Sequence, residues 1–224
     1  METVNIFRTR FDISSALASD MLSRQSIVFL SKGSVIQQEN CEPDHLYFIL
    51  SGICIFHSCE SREVFHGLAS EGMVVSDVYL LEGGKPMCTV KTLTDCLLVK
   101  LDMNKARALY ENCGDFKGLI LRSMATKLRL HSRVYALQRA SDNNGKVARA
   151  LLLLSEIVGA GTIPITQKQF SVFLGWSRNT TGKSVNDLMN EGVIDAHYGV
   201  ITILDPMALK MLASSDCNEG EVRC

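Results

Sequence analysis

Short apolar segments, separated by turn-forming residues, fill the first half of the chain between residues 26 and 101. Residues 46–50 (Leu-Tyr-Phe-Ile-Leu) and 53–56 (Ile-Cys-Ile-Phe) are two such segments, joined by Ser51 and Gly52. Further apolar segments follow, at residues 64–65, 73–75, 89–90 and 97–99. Many short strands at nearly regular spacing are typical of a β-barrel or jelly roll.

A longer periodic segment, residues 115–138, has no proline and no glycine after Gly118. Its apolar residues recur at steps of three and four, as in an α-helix: Phe116, Leu119, Ile120, Met124, Leu128, Leu130, Val134, Tyr135 and Leu137. They cover more than one face, as expected of a helix that packs both on its own domain and on a second copy of the chain. A helix buried in a single core is the alternative.

A second amphipathic helix is predicted over residues 146–158. Residues 142–145 (Asp-Asn-Asn-Gly) provide the turn that starts it, and Gly159 and Gly161 follow its end.

Two short helices joined by a tight turn are predicted next. Thr166 can cap a helix that runs to Leu174, and Gln169 stands where a capping box needs a glutamine or glutamate. Gly175 supplies the turn, and Ser177 can cap a helix that extends to about residue 190. This arrangement is a helix-turn-helix.

A β-hairpin is predicted directly after the helix-turn-helix. Residues 193–194 and 200–203 are apolar and flank His197, Tyr198 and Gly199, which form the connection. Such a hairpin is the wing that accompanies many helix-turn-helix units. Residues 206–212 predict a last short helix.

Composition excludes several classes of protein. Hydrophobic residues make up 46% of the 224 residues and charged residues 21%, as in folded globular domains. The longest apolar run, residues 150–154, is far shorter than the roughly 20 residues of a membrane helix. Residues 1–15 lack a signal-peptide core. We therefore expect a soluble cytoplasmic protein without a membrane partner.

The charge is unevenly distributed along the chain. The formal net charge is −1, but residues 117–183 contain 11 Lys and Arg against Asp142 and Glu156 alone, a local balance of +9. A basic segment in an otherwise neutral protein is typical of a nucleic-acid-binding element, although a solvated helix face can also be basic.

Specific motifs in the C-terminal half of the chain resemble the cyclic-AMP receptor/fumarate–nitrate regulator (CRP/FNR) family. They are residues 165–169 (Ile-Thr-Gln-Lys-Gln), 174–183 (Leu-Gly-Trp-Ser-Arg-Asn-Thr-Thr-Gly-Lys) and 191–194 (Glu-Gly-Val-Ile). Residues 32–36 and 46–52 are similar to the N-terminal β-roll of the same family.

The resemblance implies an α+β fold in three parts. These are an effector-sensing β-roll (jelly roll) over residues 1–112, a long dimerisation helix over 113–139 and a winged helix-turn-helix over 140–224. It further implies a bacterial homodimeric transcription factor that binds a palindromic operator in double-stranded DNA, contacts RNA polymerase and is allosterically controlled by an effector.

The resemblance also places individual residues on DNA. The residues expected there are Thr166, Gln167, Lys168, Ser177, Arg178, Asn179, Thr180 and Lys183. The hydroxyls of Ser177 and Thr180 suit phosphate oxygens, while Arg178 and Lys183 can donate to guanine. Asn179 can pair with adenine, and it stands where many family members have a glutamate that contacts cytosine. We expect Trp176 to be a core anchor and not a base stacker.

The β-roll half departs from the cyclic-nucleotide binders of the family. Those proteins hold the phosphate with an arginine in a Gly-Glu-(five residues)-Arg-Ser/Ala cassette, since a buried phosphate needs a guanidinium partner. Here Asp77 falls at the position of the glutamate, and Met87 and Cys88 replace Arg-Ser. Cyclic AMP is therefore not the expected effector.

The effector itself is left open between a small molecule and a redox signal. The candidate pocket residues are His66, Gly72, Ser76, Asp77, Met87, Cys88 and His131. His66 and His131 could serve as haem ligands, but partly buried or surface histidines are the favoured interpretation. Cys88 and Cys96 leave a redox or metal switch open. The spacing of the eight cysteines matches neither a zinc nor an iron–sulfur site, so most are expected to be buried thiols; Cys217 and Cys224, in a polar tail, could be exposed.

Two other functional classes remain as alternatives. A cupin-like enzyme would need a His-x-His pair with a nearby glutamate, which His57 and His66 do not provide, and we expect no enzymatic activity. A ligand-binding sensor that has lost DNA binding is the second alternative, against which the intact motif from Ser177 to Lys183 argues.

Overall fold

The computed structural model describes residues 2–24, 26–59, 63–137 and 142–214. Their contacts divide the chain into two compact units, one up to His131 and one from Ser132 onwards. The long helix expected from the periodicity contributes residues to both units. Its last predicted residue, at position 138, lies outside the described residues.

The first unit begins with two helices, α1 (Glu2–Phe11) and α2 (Ser15–Arg24). Eight strands then follow: β1 (Ser26–Leu30), β2 (Val35–Gln37), β3 (His45–Ser51), β4 (Cys54–Cys59), β5 (Glu63–Ala69), β6 (Val74–Val75), β7 (Thr89–Thr92) and β8 (Cys96–Asp102). The remaining helices are α3 (Asp77–Glu82), α4 (Met103–Asn112) and α5 (Gly114–Leu137).

The eight strands form two antiparallel four-stranded sheets, in the orders β1-β8-β3-β6 and β2-β7-β4-β5. Most successive strands change sheet, as in a jelly roll, whereas β4 and β5 are paired within one sheet, and the predicted α+β fold is confirmed. The region from 26 to 101 is nevertheless not all β, because α3 interrupts it. No element was predicted over residues 2–24, where the structure has two helices.

The first N-terminal helix, α1, is held by aromatic packing. The Phe7 and Phe48 rings lie 5.8 Å apart edge to face, and Phe48 also approaches Phe116 of α5, with 6.2 Å between ring centroids. All three side chains are fully buried. Contacts of this kind join residues far apart in sequence, so the local pattern of residues 2–24 did not reveal them.

The second unit contains the predicted helix-turn-helix and hairpin. Its elements are α6 (Asn143–Val158), β9 (Thr162–Ile163), α7 (Gln167–Leu174), α8 (Arg178–Asn190), β10 (Ile194–His197), β11 (Val200–Ile203) and α9 (Pro206–Ser214). Strands β10 and β11 form the hairpin, and β9 adds a third antiparallel strand beside β11.

No helix in the described parts of the chain combines the length and apolar character needed to cross a membrane.

Candidate functional site

Helix α7 begins and ends with local structural signals. The Thr166 hydroxyl accepts from the Gln169 N–H at 3.2 Å, and the Gln169 side-chain oxygen accepts from the Thr166 N–H at 3.0 Å, so the predicted capping box is present. Gly175 ends α7 with φ of 68°, a left-handed conformation that favours glycine.

The N-terminus of α8 is capped by Ser177, whose hydroxyl accepts from the Thr180 N–H at 3.1 Å. The two hydroxyls of Ser177 and Thr180 also lie 2.9 Å apart, within hydrogen-bond distance. Both groups predicted to contact phosphate therefore already hold the helix end in place, and the first turn of α8 is fixed before any DNA is bound.

Three basic or amide side chains project from α8 towards solvent. Arg178, Asn179 and Lys183 are all exposed, whereas Thr181 and Ser184 on the opposite face are buried. In α7, Gln167 and Lys168 are exposed as well. The structure thus brings the predicted contact residues of α7 and α8 to the outside of one helix pair.

The two helices approach each other closely at Gly182. A Cβ atom at this position would lie 2.5 Å from the Gln167 side-chain nitrogen, so the absence of a side chain allows Gln167 to cross over α8. The Gln167 side chain, which was predicted to contact DNA, therefore also lies against α8.

Two polar residues near this surface were not among the residues predicted from the sequence to contact DNA. Asn186 is exposed one turn beyond Lys183, seven positions after Asn179, and that spacing places it on the same helix face. Tyr198 at the tip of the hairpin is fully exposed and has φ of 50°. The tight β-turn signal indicated the hairpin but not which side chain its tip presents.

Trp176 is half-buried and lies beneath Lys146 of α6, whose ammonium nitrogen is 4.8 Å from the ring centroid. Burial lowers the pKa of Lys146. This cation–π contact ties the turn to α6, and it engages the indole ring within the unit.

In the first unit, a cavity of about 360 Å³ opens between the β2-β7-β4-β5 sheet, α3 and α5. Six of the seven residues predicted to form an effector pocket line it, namely His66, Ser76, Asp77, Met87, Cys88 and His131. The seventh, Gly72, does not: it forms a turn with φ of 79°, and its N–H donates to the Ile49 carbonyl oxygen. The remaining lining residues are Gln37, Phe56, Val78, Tyr79, Met124, Lys127 and Leu128.

The floor of the cavity contains a buried ion pair between α3 and α5. Lys127 donates to the Asp77 carboxylate and, at 2.9 Å, to the Val74 carbonyl oxygen. The Ser123 hydroxyl donates to the other oxygen of Asp77 at 3.2 Å. Asp77 is 1% exposed and Lys127 9% exposed. Asp77, which stands at the position that resembles a ribose-binding glutamate, is thus engaged in contacts within the chain.

Lys127 was not predicted to contribute to the cavity, because a lysine on a helix usually points to solvent. A signal was present in the sequence: Lys127 lies seven residues after Ile120 and seven before Val134, and both of these side chains are buried. It therefore shares the buried face of α5.

Two further polar groups of the floor are joined to each other. The Ser76 hydroxyl donates to the Gln37 side-chain oxygen at 2.8 Å, and the Gln37 side-chain nitrogen donates to the Cys88 carbonyl oxygen at 3.2 Å. Ser76 has φ of 73°, an uncommon conformation for a residue with a side chain.

The two predicted haem-ligand candidates both reach the cavity but have other contacts. The His66 ring nitrogen lies 2.7 Å from the Ser58 hydroxyl. His131 packs against Gly67, where a Cβ atom would overlap its ring. Burial and the charge of Lys127 lower the pKa of His131. In the described residues, no group of three or more His, Cys, Asp and Glu side chains is arranged to hold a metal.

The cysteines of this unit follow the expectation of buried thiols only in part. Cys54 and Cys96 are buried beside each other, Cys88 is half-buried in the cavity wall, and Cys41 is exposed. The Cys96 thiol and burial raise the pKa of Cys54 well above 9.0, and burial raises the pKa of Cys88. The thiol that lies beside Cys96 is therefore that of Cys54, whereas Cys88, which was considered together with Cys96 as a redox or metal switch, lies in the cavity wall. Cys217 and Cys224 lie outside the described residues.

Comparison with known protein families and structures gives consistent results. One family model, the cyclic nucleotide-binding domain, matches residues 27–113, and a second, the Crp-like helix-turn-helix domain, matches residues 145–212. The chain is 25% identical to the cAMP-activated global transcriptional regulator CRP of Salmonella typhimurium over 182 residues, which cover 77% of this chain and 86% of that protein. It is 24% identical to the CRP-like cAMP-activated global transcriptional regulator of Mycobacterium tuberculosis, over 85% of this chain and 89% of that protein.

Solved structures share the fold. A CRP-family transcriptional regulator from Thermus thermophilus superimposes with a TM-score of 0.74 at 18% identity, over 84% of this chain and 97% of that one. The c-di-GMP responsive global regulator CLP of Xanthomonas campestris gives a TM-score of 0.72 at 17% identity, over 85% and 99% of the two chains.

Proposed function

The chain belongs to the CRP/FNR family of transcriptional regulators, and we propose that it reads a palindromic operator as a homodimer through Arg178, Asn179 and Lys183. The observation that carries this proposal is the common exposed face of these side chains on a helix whose first turn is fixed by Ser177. A helix presented in this way can enter the major groove, where Arg and Lys donate to guanine and Asn pairs with adenine.

Dimerisation is supported by the exposed apolar side chains of α5. Leu121, Leu128 and Tyr135 are 57%, 68% and 73% exposed in the single chain, and they follow one another at intervals of seven residues. A seven-residue apolar repeat places these side chains along one seam, the pattern of two paired helices. We propose that this seam is the contact between the two copies.

The proposed effector site is the cavity of the first unit, and the proposed effector is not cyclic AMP. The relatives quoted above are cAMP-activated by name, yet this chain has Met87 and Cys88 at the positions of the phosphate-binding cassette. A cyclic nucleotide would therefore lack a guanidinium partner for its phosphate. In addition, Lys127 already neutralises the carboxylate of Asp77, which stands at the position of the ribose-binding glutamate.

The wider assignments rest on the family. We propose a cytoplasmic protein that acts without catalysis and contacts RNA polymerase. The relatives that match the chain are transcriptional regulators, which favours this function over the cupin-like enzyme and over a sensor that has lost DNA binding.

Selection of DNA fragments from a random pool tests the proposal. Wild-type protein should enrich a palindrome whose half-sites lie about one helical turn apart, with binding that weakens steeply as salt increases. Arg178→Ala should lower affinity for that site by about 10- to 100-fold, because a bidentate guanine contact is lost. Arg107→Ala, which removes an exposed arginine of α4, is the matched control and should bind like wild type.

Equal affinities of the Arg178→Ala and Arg107→Ala variants would contradict the assignment of α8 as the reading helix. Failure of the folded dimer to enrich any sequence at low salt would contradict the function as a whole.

A further inference from the structure

The wall of the cavity in the first unit is mainly apolar. Phe56, Val78, Met87, Met124 and Leu128 contribute carbon and thioether surface from both sides of the opening. Met87 is 82% exposed, so a large part of this apolar surface is left uncovered in the single chain. Uncovered apolar surface that lines a cavity is typical of small-molecule sites.

The charged groups of the cavity floor neutralise each other. Lys127 and Asp77 form an ion pair, and the second Asp77 oxygen accepts from Ser123. Burial and the Lys127 charge lower the pKa of His131, which favours the uncharged form of its ring. An ionic ligand that entered here would lose its hydration and gain no opposite charge without breaking the Lys127–Asp77 pair.

The polar groups of the floor and rim are also engaged within the chain. Ser76 bonds Gln37, and Gln37 bonds the Cys88 carbonyl oxygen. The Tyr79 side chain bonds the backbone of Met87. A ligand rich in hydrogen-bonding groups would therefore have to displace existing bonds, whereas an apolar ligand would only remove water from the wall.

The volume limits the size of the ligand. A cavity of about 150 Å³ in a protein core accepts a benzene-sized molecule. The cavity of about 360 Å³ found here is a little more than twice that volume, which corresponds to a molecule of about two rings.

We propose that this cavity binds an uncharged, mainly apolar small molecule of about two rings, and that this molecule is the effector. The inference rests on the proposed function of the cavity as the effector site. It assigns the cavity a ligand without phosphate or carboxylate groups, held by Phe56, Val78, Met87 and Met124.

Equilibrium binding of three probes to the purified full-length protein tests this assignment. The probes are naphthol, which is uncharged, naphthoate, which carries a carboxylate on the same double ring, and cyclic AMP. Calorimetry should show saturable binding of naphthol about tenfold tighter than that of naphthoate, and no saturable binding of cyclic AMP in the same concentration range. Tighter binding of naphthoate or of cyclic AMP than of naphthol would overturn the proposal.

A pair of variants locates the probe. Met87→Glu places a carboxylate on the exposed part of the wall and should weaken naphthol binding by about fivefold, because apolar contact is replaced by a charge. Met207→Glu, on α9 of the other unit, changes a methionine of similar exposure, 68%, and should leave naphthol binding unchanged. Equal naphthol affinities of the two variants would overturn the proposal by placing the probe outside the cavity.

These measurements are made without DNA, so they are independent of the operator selection. A protein that binds naphthol but enriches no operator would refute the proposed DNA function alone. A protein that enriches an operator but does not bind naphthol would refute the ligand class alone.

Discussion

The Lys127 ammonium group connects the long helix α5 to the Asp77 carboxylate at the start of α3, and both side chains are almost completely buried. The same nitrogen donates to the Val74 carbonyl oxygen at 2.9 Å. The contact thus ties α5 to β6 and α3 at one point within the first unit. In this protein a side chain of α5 itself fills the floor of the proposed effector cavity.

We expect the loss of either partner of this pair to destabilise the first unit strongly. Lys127→Met leaves the Asp77 carboxylate buried without its counter-charge, and should lower the free energy of unfolding by about 3–5 kcal/mol. Urea unfolding followed by circular dichroism measures the change. The double variant Lys127→Met with Asp77→Leu should regain much of the loss, because it removes both charges.

Lys105→Met on α4 is the control for the ion-pair experiment, since Lys105 is exposed. A stability loss of the same size in Lys105→Met and Lys127→Met would show that the buried pair has no special importance.

We expect Leu121→Glu combined with Tyr135→Glu to convert the proposed dimer to a monomer. Both substitutions place carboxylates in the apolar seam of α5, where each would oppose the same charge of the second copy. Sedimentation velocity measures the mass. Leu81→Glu on α3, where the leucine is 40% exposed, should remain dimeric. A double variant that stays dimeric would mean that the two copies meet elsewhere.

Base specificity should follow the side chain at position 179. Asn179→Glu replaces an amide that can pair with adenine N6 and N7 by a carboxylate, which cannot donate to N7 and commonly accepts from the cytosine amino group. Repeated selection with this variant should exchange an adenine of each half-site for a base pair that presents cytosine, at a discrimination of about 1–3 kcal/mol. An unchanged consensus sequence would show that Asn179 does not read a base.

Stability should decrease in mildly acidic solution because of His131. Burial and the charge of Lys127 lower its pKa below the ordinary value of 6.5, so the unfolded chain binds the proton more tightly than the folded protein. The free energy of unfolding should therefore fall as pH decreases through 6.5, and His131→Gln should show a shallower decrease. Proton NMR of the histidine ring, assigned by comparison with His131→Gln, measures the pKa directly; a value at or above 6.5 would refute this explanation.

The helix-turn-helix was predictable because its signals are local. Thr166 and Gln169 form a capping box across three residues, and Ser177 caps α8 through a bond to Thr180. Gly175 adopts the left-handed conformation that such a turn requires. All of these contacts join residues within one or two turns of chain, so the order of residue types is enough to specify them.

The β-roll was predictable in its strands but not in all its parts. Alternation of apolar segments and turn residues placed β3 to β8, but it gave no separate segment for β1 or β2. Helix α1 packs Phe7 against Phe48, and that contact joins positions about forty residues apart. Local periodicity carries no information about such a partner.

The sequence by itself determined the family and the helix-turn-helix, and it predicted the DNA-reading residues and the departure from the phosphate cassette at Met87 and Cys88. Only the tertiary structure decided the chemistry of the cavity. Lys127 and Asp77 lie fifty positions apart, so their pairing exists only after α5 has packed beside α3. Gly72 was expected in the pocket from its position in the cassette, but the fold uses it in a turn. The reason is that a pocket is formed by side chains from separate elements, and its charge balance is set by which of them meet.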